Sequence, residues 1–127
     1  MSLYDTRFFF EHFYSCDENI LRKTIQEIRN VKNRYISVII IHEIYKLTLE
    51  KEGKNVAELR VKILEKDFKI ININLDIAKI SAQLRHKYRI PMADSIIAAT
   101  AMKLNLPCIT DDPHLKNILE IKTKWID

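Results

Sequence analysis

The 127 residues suit one domain of ordinary size with a single core. Hydrophobic residues make up 47% and charged residues 30%, the balance of a water-soluble globule, and no uncharged apolar run approaches the roughly 20 residues that span a bilayer, so no membrane role is expected. A formal charge of +4 leans toward a polyanionic partner, and the single glycine, Gly53, excludes the glycine-rich loops that cradle nucleotide phosphates.

Residues 2–4 read as a short strand ending at Asp5, and Thr6 stands where it can cap a helix carrying Phe8, Phe9 and Phe13. This opening stretch has an acid where a secretory signal would be positive and no small-residue cleavage site, so the expected location is cytoplasmic. Asp17 caps a second helix, in which Leu21, Ile25 and Ile28 recur at helical spacing before a turn over residues 30–33. Residues 34–37 form a strand, and Ser37 caps a helix with the stripe Ile40, Ile44 and Leu47, which Gly53 stops. Asn55 and Glu58 have capping-box spacing for the next helix, which carries Val56, Leu59 and Ile63 on one face.

Residues 68–73 are strongly β-prone, and Asn74 then caps a helix that runs through Tyr88 with Ile77, Ile80, Leu84 and Tyr88 inward. Pro91 opens a helix from Met92 to about Asn105, residues 106–110 form a fourth strand, Pro113 opens a short helix, and residues 121–126 form an edge strand with Trp125 packing it. Cys16 and Cys108 lie far apart and match no metal or redox spacing. The alternation implies an α/β fold: a three-layer α/β/α sandwich over residues 1–127, built on a central, mostly parallel sheet of four or five strands with right-handed crossovers.

Ligands of open α/β sheets bind beyond the carboxyl ends of the strands. Asp5 ends the first strand there, and Asp111 and Asp112 end the fourth. Two helical acids stand on faces that ought to be apolar: Glu43 lies between Ile40 and Leu47, and Asp94 shares a face with Ile97, Ala98 and Ala101. Four carboxylates in one crevice would repel each other unless a cation were present. Oxygen donors without a clustered His or Cys set point to Mg²⁺ or Mn²⁺ rather than Zn²⁺, and to phosphodiester hydrolysis as the chemistry.

These segments resemble the motifs of PIN-domain nucleases. Asp5-Thr6 resembles the opening motif, Ser37 with Glu43 the second, residues 90–101 around Pro91 and Asp94 the third, and Thr110-Asp111-Asp112 the last, where spacing from Thr110 favours Asp112 over Asp111 as the fourth acid. Arg7 stands where an Asn or Ser is often found. The length, and a compact two-helix insertion between Gly53 and Phe68, are similar to VapC-type toxins. The resemblance implies a Mg²⁺- or Mn²⁺-dependent endoribonuclease, a homodimer, and an antitoxin partner.

On that reading Asp5 and Asp94 hold metal directly, Glu43 and Asp112 act through water or on a second metal, and Thr6, Ser37 and Thr110 orient the carboxylates. Each acid has a structural alternative. Asp112 before Pro113 is an ideal helix cap, Asp94 can serve a helix dipole, Glu43 can pair with a buried cation, and Asp5 can cap locally. Arg7, Lys46, Arg85, Lys87 and Arg89 are candidates to follow an RNA backbone, although a solvated face accounts for Arg85 and Lys87 equally well. His12, His42, His86 and His114 are scattered and read as surface or satisfied core histidines, and Phe8, Phe9, Phe10 and Phe13 as core or dimer contacts. The competing readings are a receiver-like signalling module with an acidic pocket and a domain that binds RNA without cutting it.

Overall fold

The computed structural model describes residues 1–127. In chain order the elements are β1 (Ser2–Tyr4), α1 (Thr6–Tyr14), α2 (Glu18–Asn30), β2 (Arg34–Ser37), α3 (Val38–Glu52), α4 (Lys54–Asp67), β3 (Lys69–Ile71), α5 (Leu75–Tyr88), α6 (Met92–Leu104), β4 (Cys108–Ile109), α7 (Pro113–Lys116) and β5 (Thr123–Lys124). The five strands lie in the order β3-β2-β1-β4-β5, and every pairing is parallel. Right-handed crossovers put α1 to α4, which lead outward from β1 to β3, on one face, and α5 to α7, which lead back to β4 and on to β5, on the other. No helix is long and apolar enough to cross a membrane.

The strand order reverses at β1, whose two neighbours are β2 and β4. That reversal opens a crevice at the carboxyl ends of β1 and β4, because the following segments leave toward opposite faces. The amide of Asp5 donates to the carbonyl of Ile109 at 3.2 Å, so the segments leaving both strands are held side by side at that edge.

Apolar burial follows the two periodicities. Tyr4, Phe8, Phe9 and Phe68 form one aromatic cluster, with the Tyr4 and Phe8 rings 4.7 Å apart and the Phe9 and Phe68 rings 5.1 Å apart. In α6 every residue from Ser95 to Ala101 is buried, and the alanines among them let this helix lie close against the sheet. Trp125, just past β5, packs against the same core.

Several local expectations are corrected. Asp5, rather than Thr6, caps α1 by accepting from the Thr6 amide at 2.7 Å; the carboxylate reaches an amide that the hydroxyl, already inside the helix, does not. One helix, not two, occupies the stretch between Gly53 and Phe68, and it begins without a side-chain cap, so Asn55 does not form a capping box. The inward face of α4 carries Ala57 and Leu64 with Arg60 between them, while Leu59 and Ile63 are 60% and 46% exposed. Arg60 makes that face viable: its guanidinium sits 4.4 Å over the Phe13 ring and pairs with Glu52.

Gly53 joins α3 to α4 at φ +88°, a region that side chains with a Cβ enter at a cost, although an added Cβ would meet no atom within 4 Å. Gly53→Ala is therefore expected to lower stability by about 1 kcal/mol through backbone strain alone, measured by urea unfolding.

Candidate active site

Asp5 sits at the point where β1 gives way to α1 and is 2% exposed. Its Oδ1 accepts from the Thr6 amide at 2.7 Å and its Oδ2 from the Thr110 hydroxyl at 2.6 Å. These bonds favour the charged form, but burial outweighs them, and Asp94 and Asp112 add repulsion, so its carboxyl is pushed up to about 6.

Asp94 lies in the first turn of α6, with its side chain 14% exposed. It is also pushed up to about 6, first by burial and then by repulsion from Asp112, with Glu43 adding to it and His114 opposing it. The α6 N-terminus brings no side-chain cap to this turn, so the helix enters the crevice with an acid in its first turn and Pro91 at its start.

Glu43 comes from the second turn of α3, and its Oε1 accepts from the Thr6 hydroxyl. Thr6 therefore links Asp5, through its amide, to Glu43, through its side chain. Thr110 makes a second link: its hydroxyl donates to Asp5 and accepts from the Asp112 amide at 3.0 Å. Asp112 in turn caps α7, its Oδ1 accepting from the His114 amide at 2.8 Å. The capping alternative for Asp112 thus coexists with its place in the crevice, because a cap uses one oxygen and leaves the other. Asp94 is accordingly within electrostatic reach of Asp5, Asp112 and Glu43, and Asp5 of Asp112.

The remaining expected residues fall elsewhere. Ser37 is fully buried and caps α3 through the Ile39 amide at 3.2 Å, donating to none of the acids. Asp111 points to Arg7, whose Nε donates to its Oδ1 at 2.9 Å, and Arg7 also reaches Glu11 at 3.2 Å. The unusual Arg7 and the doubled acid are therefore one feature: the first acid of the pair is neutralised at the rim. Lys46 pairs with Glu50 and lines a groove of about 310 Å³ with Thr6, Phe10 and Glu43. Arg85 and Arg89 line a separate open depression at the end of α5, whereas Lys87 pairs with Glu120 at 3.2 Å.

One histidine departs from the sequence reading. His12 is half-buried and satisfied, its Nδ1 2.9 Å from the Thr24 hydroxyl, and His42 and His86 are exposed. His114, however, places Nδ1 3.3 Å from Asp94 Oδ2 and 3.4 Å from Asp112 Oδ1. A lone His after an Asp-Pro step carries no spacing signature, and it meets Asp94 only because α7 turns back toward α6.

The donor set suits a hard divalent cation. Four carboxylates share the crevice, two of them raised toward neutral pH, while Arg7 and Lys46 have ion pairs of their own.

The PIN domain family model matches residues 3–120. No match is found among curated proteins. Among solved structures, the chain resembles a toxin–antitoxin complex from Klebsiella pneumoniae at 28% identity and TM-score 0.76, covering 95% of each chain. It resembles FitAcB from Neisseria gonorrhoeae at 26% identity and TM-score 0.76, covering 97% of this chain and 96% of that one. VapC20 from Mycobacterium tuberculosis, described as a toxin that cleaves the sarcin–ricin loop, shares the fold at 15% identity and TM-score 0.75, covering 96% and 99%. A sheet of order β3-β2-β1-β4-β5 with acids at its point of reversal, and a family match that runs through nearly all of it, lead to one conclusion: the chain belongs to the PIN domain family.

Proposed function

We propose that this protein is a divalent-metal-dependent endoribonuclease, the toxin of a toxin–antitoxin pair, hydrolysing RNA phosphodiester bonds. The observation that carries the reading is the raised pair Asp5 and Asp94, both about 6, in a crevice shared with Asp112 and Glu43. Acids raised by burial and by neighbouring acids cost stability, and a cation bound at that spot would offset the cost.

Asp5 and Asp94 would hold Mg²⁺ or Mn²⁺, with Glu43 and Asp112 completing the oxygen set. When bound, the cation supplies the charge that activates water and steadies the phosphate oxygens. Thr6 and Thr110 keep Glu43 and Asp5 in fixed orientations, so little reorganisation is needed when substrate arrives. Glu43 has Oε1 engaged by Thr6, which leaves Oε2 to accept a proton from the attacking water. Arg85 and Arg89 are the candidate cations left to meet an RNA backbone, since Arg7, Lys46 and Lys87 are each paired with an acid of the protein.

The relatives named as toxin–antitoxin complexes support an antitoxin partner, as do Leu49, Leu59 and Ile63, an exposed apolar set on α3 and α4. A homodimer is proposed on the family resemblance.

Cleavage of a structured RNA with Mg²⁺, Mn²⁺ or excess chelator tests the reading, and two variants distinguish which acid of the pair acts. Asp112→Asn keeps a competent α7 cap, because Asn caps as well as Asp, yet should lose activity by about a hundredfold. Asp111→Asn loosens a rim ion pair whose members are 40% and 34% exposed, and should stay within about threefold of the parent. Cutting that persists in chelator, or that survives in Asp112→Asn, would contradict the proposal.

A further inference from the structure

Resting on the metal-binding reading above, the geometry points to His114 as a further ligand of the same ion, through Nδ1, giving the site a nitrogen donor that shifts its preference from Mg²⁺ toward Mn²⁺. One ligand atom each from Asp94, Asp112 and His114 lies within 4.8 Å of the others. Adjacent ligands around a single ion with bonds of about 2.1–2.2 Å stand roughly 3 Å apart. The Nδ1 distance of 3.3 Å to Asp94 Oδ2 fits that spacing, and Nδ1 also lies 3.4 Å from Asp112 Oδ1, the oxygen that caps α7. Both distances are long for a charge-assisted hydrogen bond, which runs at about 2.7–2.9 Å. The ring is thus spaced as a neighbouring donor to a shared ion, its interaction with Asp94 being a long one.

The local chain anchors the backbone of His114, whose side chain is 56% exposed. Pro113 sets the backbone just before His114, and the His114 amide is held by the Asp112 cap at 2.8 Å, so the ring starts from an anchored position. Asp94 reaches the same point from α6, on the other side of the crevice. Imidazole suits transition-metal ions, whereas Mg²⁺ favours oxygen and water. A mixed set of carboxylates and one imidazole therefore narrows the choice that the acids alone leave open.

The test uses Mn²⁺ as the probe, with the intact chain, His114→Gln and Asp94→Asn. Each protein is checked for fold by circular dichroism, titrated with Mn²⁺ and then Mg²⁺, and the bound Mn²⁺ is read by pulsed electron paramagnetic resonance. The parent is expected to show coupling to a directly bound ¹⁴N. In His114→Gln, Mn²⁺ still binds, that coupling vanishes, and the affinity ratio of Mn²⁺ to Mg²⁺ falls by about tenfold. Asp94→Asn loses Mn²⁺ binding. Parent protein that binds Mn²⁺ without nitrogen coupling overturns the role of His114 and leaves the carboxylate site standing. Parent protein that binds no Mn²⁺ overturns both.

Discussion

Asp94→Asn should cut metal-dependent RNA cleavage by about a thousandfold while making the metal-free protein more stable near neutral pH. The two effects share one cause. Asparagine has almost the same shape, so the first turn of α6 and the packing of Ile97, Ala98 and Ala101 beneath it stay intact. What is removed is a charge that burial, Asp112 and Glu43 all disfavour and that only His114 relieves. Loss of the favourable interaction with the α6 dipole, about 0.3–1 kcal/mol, works against the gain. The net expectation is a gain of about 1–2 kcal/mol at about pH 7.5 in urea unfolding with chelator present. Activity lost without any gain in stability would mean that Asp94 is held by the fold for its own sake; activity retained within about tenfold would remove it from the site.

The second large effect is a pH-dependent stabilisation by metal. Asp5 and Asp94 are each raised from 3.8 to about 6 in the folded protein. A carboxyl whose folded pKa is raised binds its proton more tightly when folded, so its contribution to stability is fully present below the unfolded value and is lost as pH rises through the folded value. From these two groups the metal-free protein should lose stability between pH 3.8 and about 6 and carry the full penalty above that window. Each tenfold gain in proton affinity corresponds to about 1.4 kcal/mol before relaxation. The two groups interact, so their penalties do not add simply, and together they amount to roughly a few kcal/mol. A divalent ion that binds the charged forms removes this penalty. Mg²⁺ or Mn²⁺ should therefore raise the melting temperature clearly at about pH 7.5 and little at about pH 5, and neither change should survive in the Asp5→Asn, Asp94→Asn double variant. Equal stabilisation at both pH values, or in the double variant, would assign the metal to some other place.

The gathering of the four acids could be anticipated because each broke a local rule. Asp5 and Asp112 ended strands, and Glu43 and Asp94 interrupted apolar stripes, so the sequence itself marked them as out of place. The parallel three-layer architecture followed from the alternation of elements and the handedness of crossovers, whereas the strand order β3-β2-β1-β4-β5 came only with the structure. Side-chain partnerships across the fold were less accessible. Nothing local says that Asp111 belongs to Arg7, some 104 positions away, or that His114 will meet Asp94. Ser37 was expected both to cap α3 and to orient an acid, and the structure shows the cap, through the amide of Ile39.

The face of α4 was misjudged for a different reason. Val56, Leu59 and Ile63 form the more apolar stripe, so hydrophobicity favoured turning it inward. The core instead takes Ala57 and Leu64, with Arg60 satisfied by Glu52 and stacked on Phe13, and the greasier stripe stays outside. Apolar periodicity marks a face without saying which of two faces the fold turns inward, and here the packing of Arg60 against Phe13 and Glu52 decides it.

Crystals soaked in Mn²⁺ and measured at the manganese absorption edge put the central claim to its most direct test. The account requires an anomalous peak in the crevice, in contact with carboxylate oxygens of Asp5 and Asp94. A soaked crystal that diffracts well and shows no such peak, or shows it only at acids outside the crevice, would contradict the account.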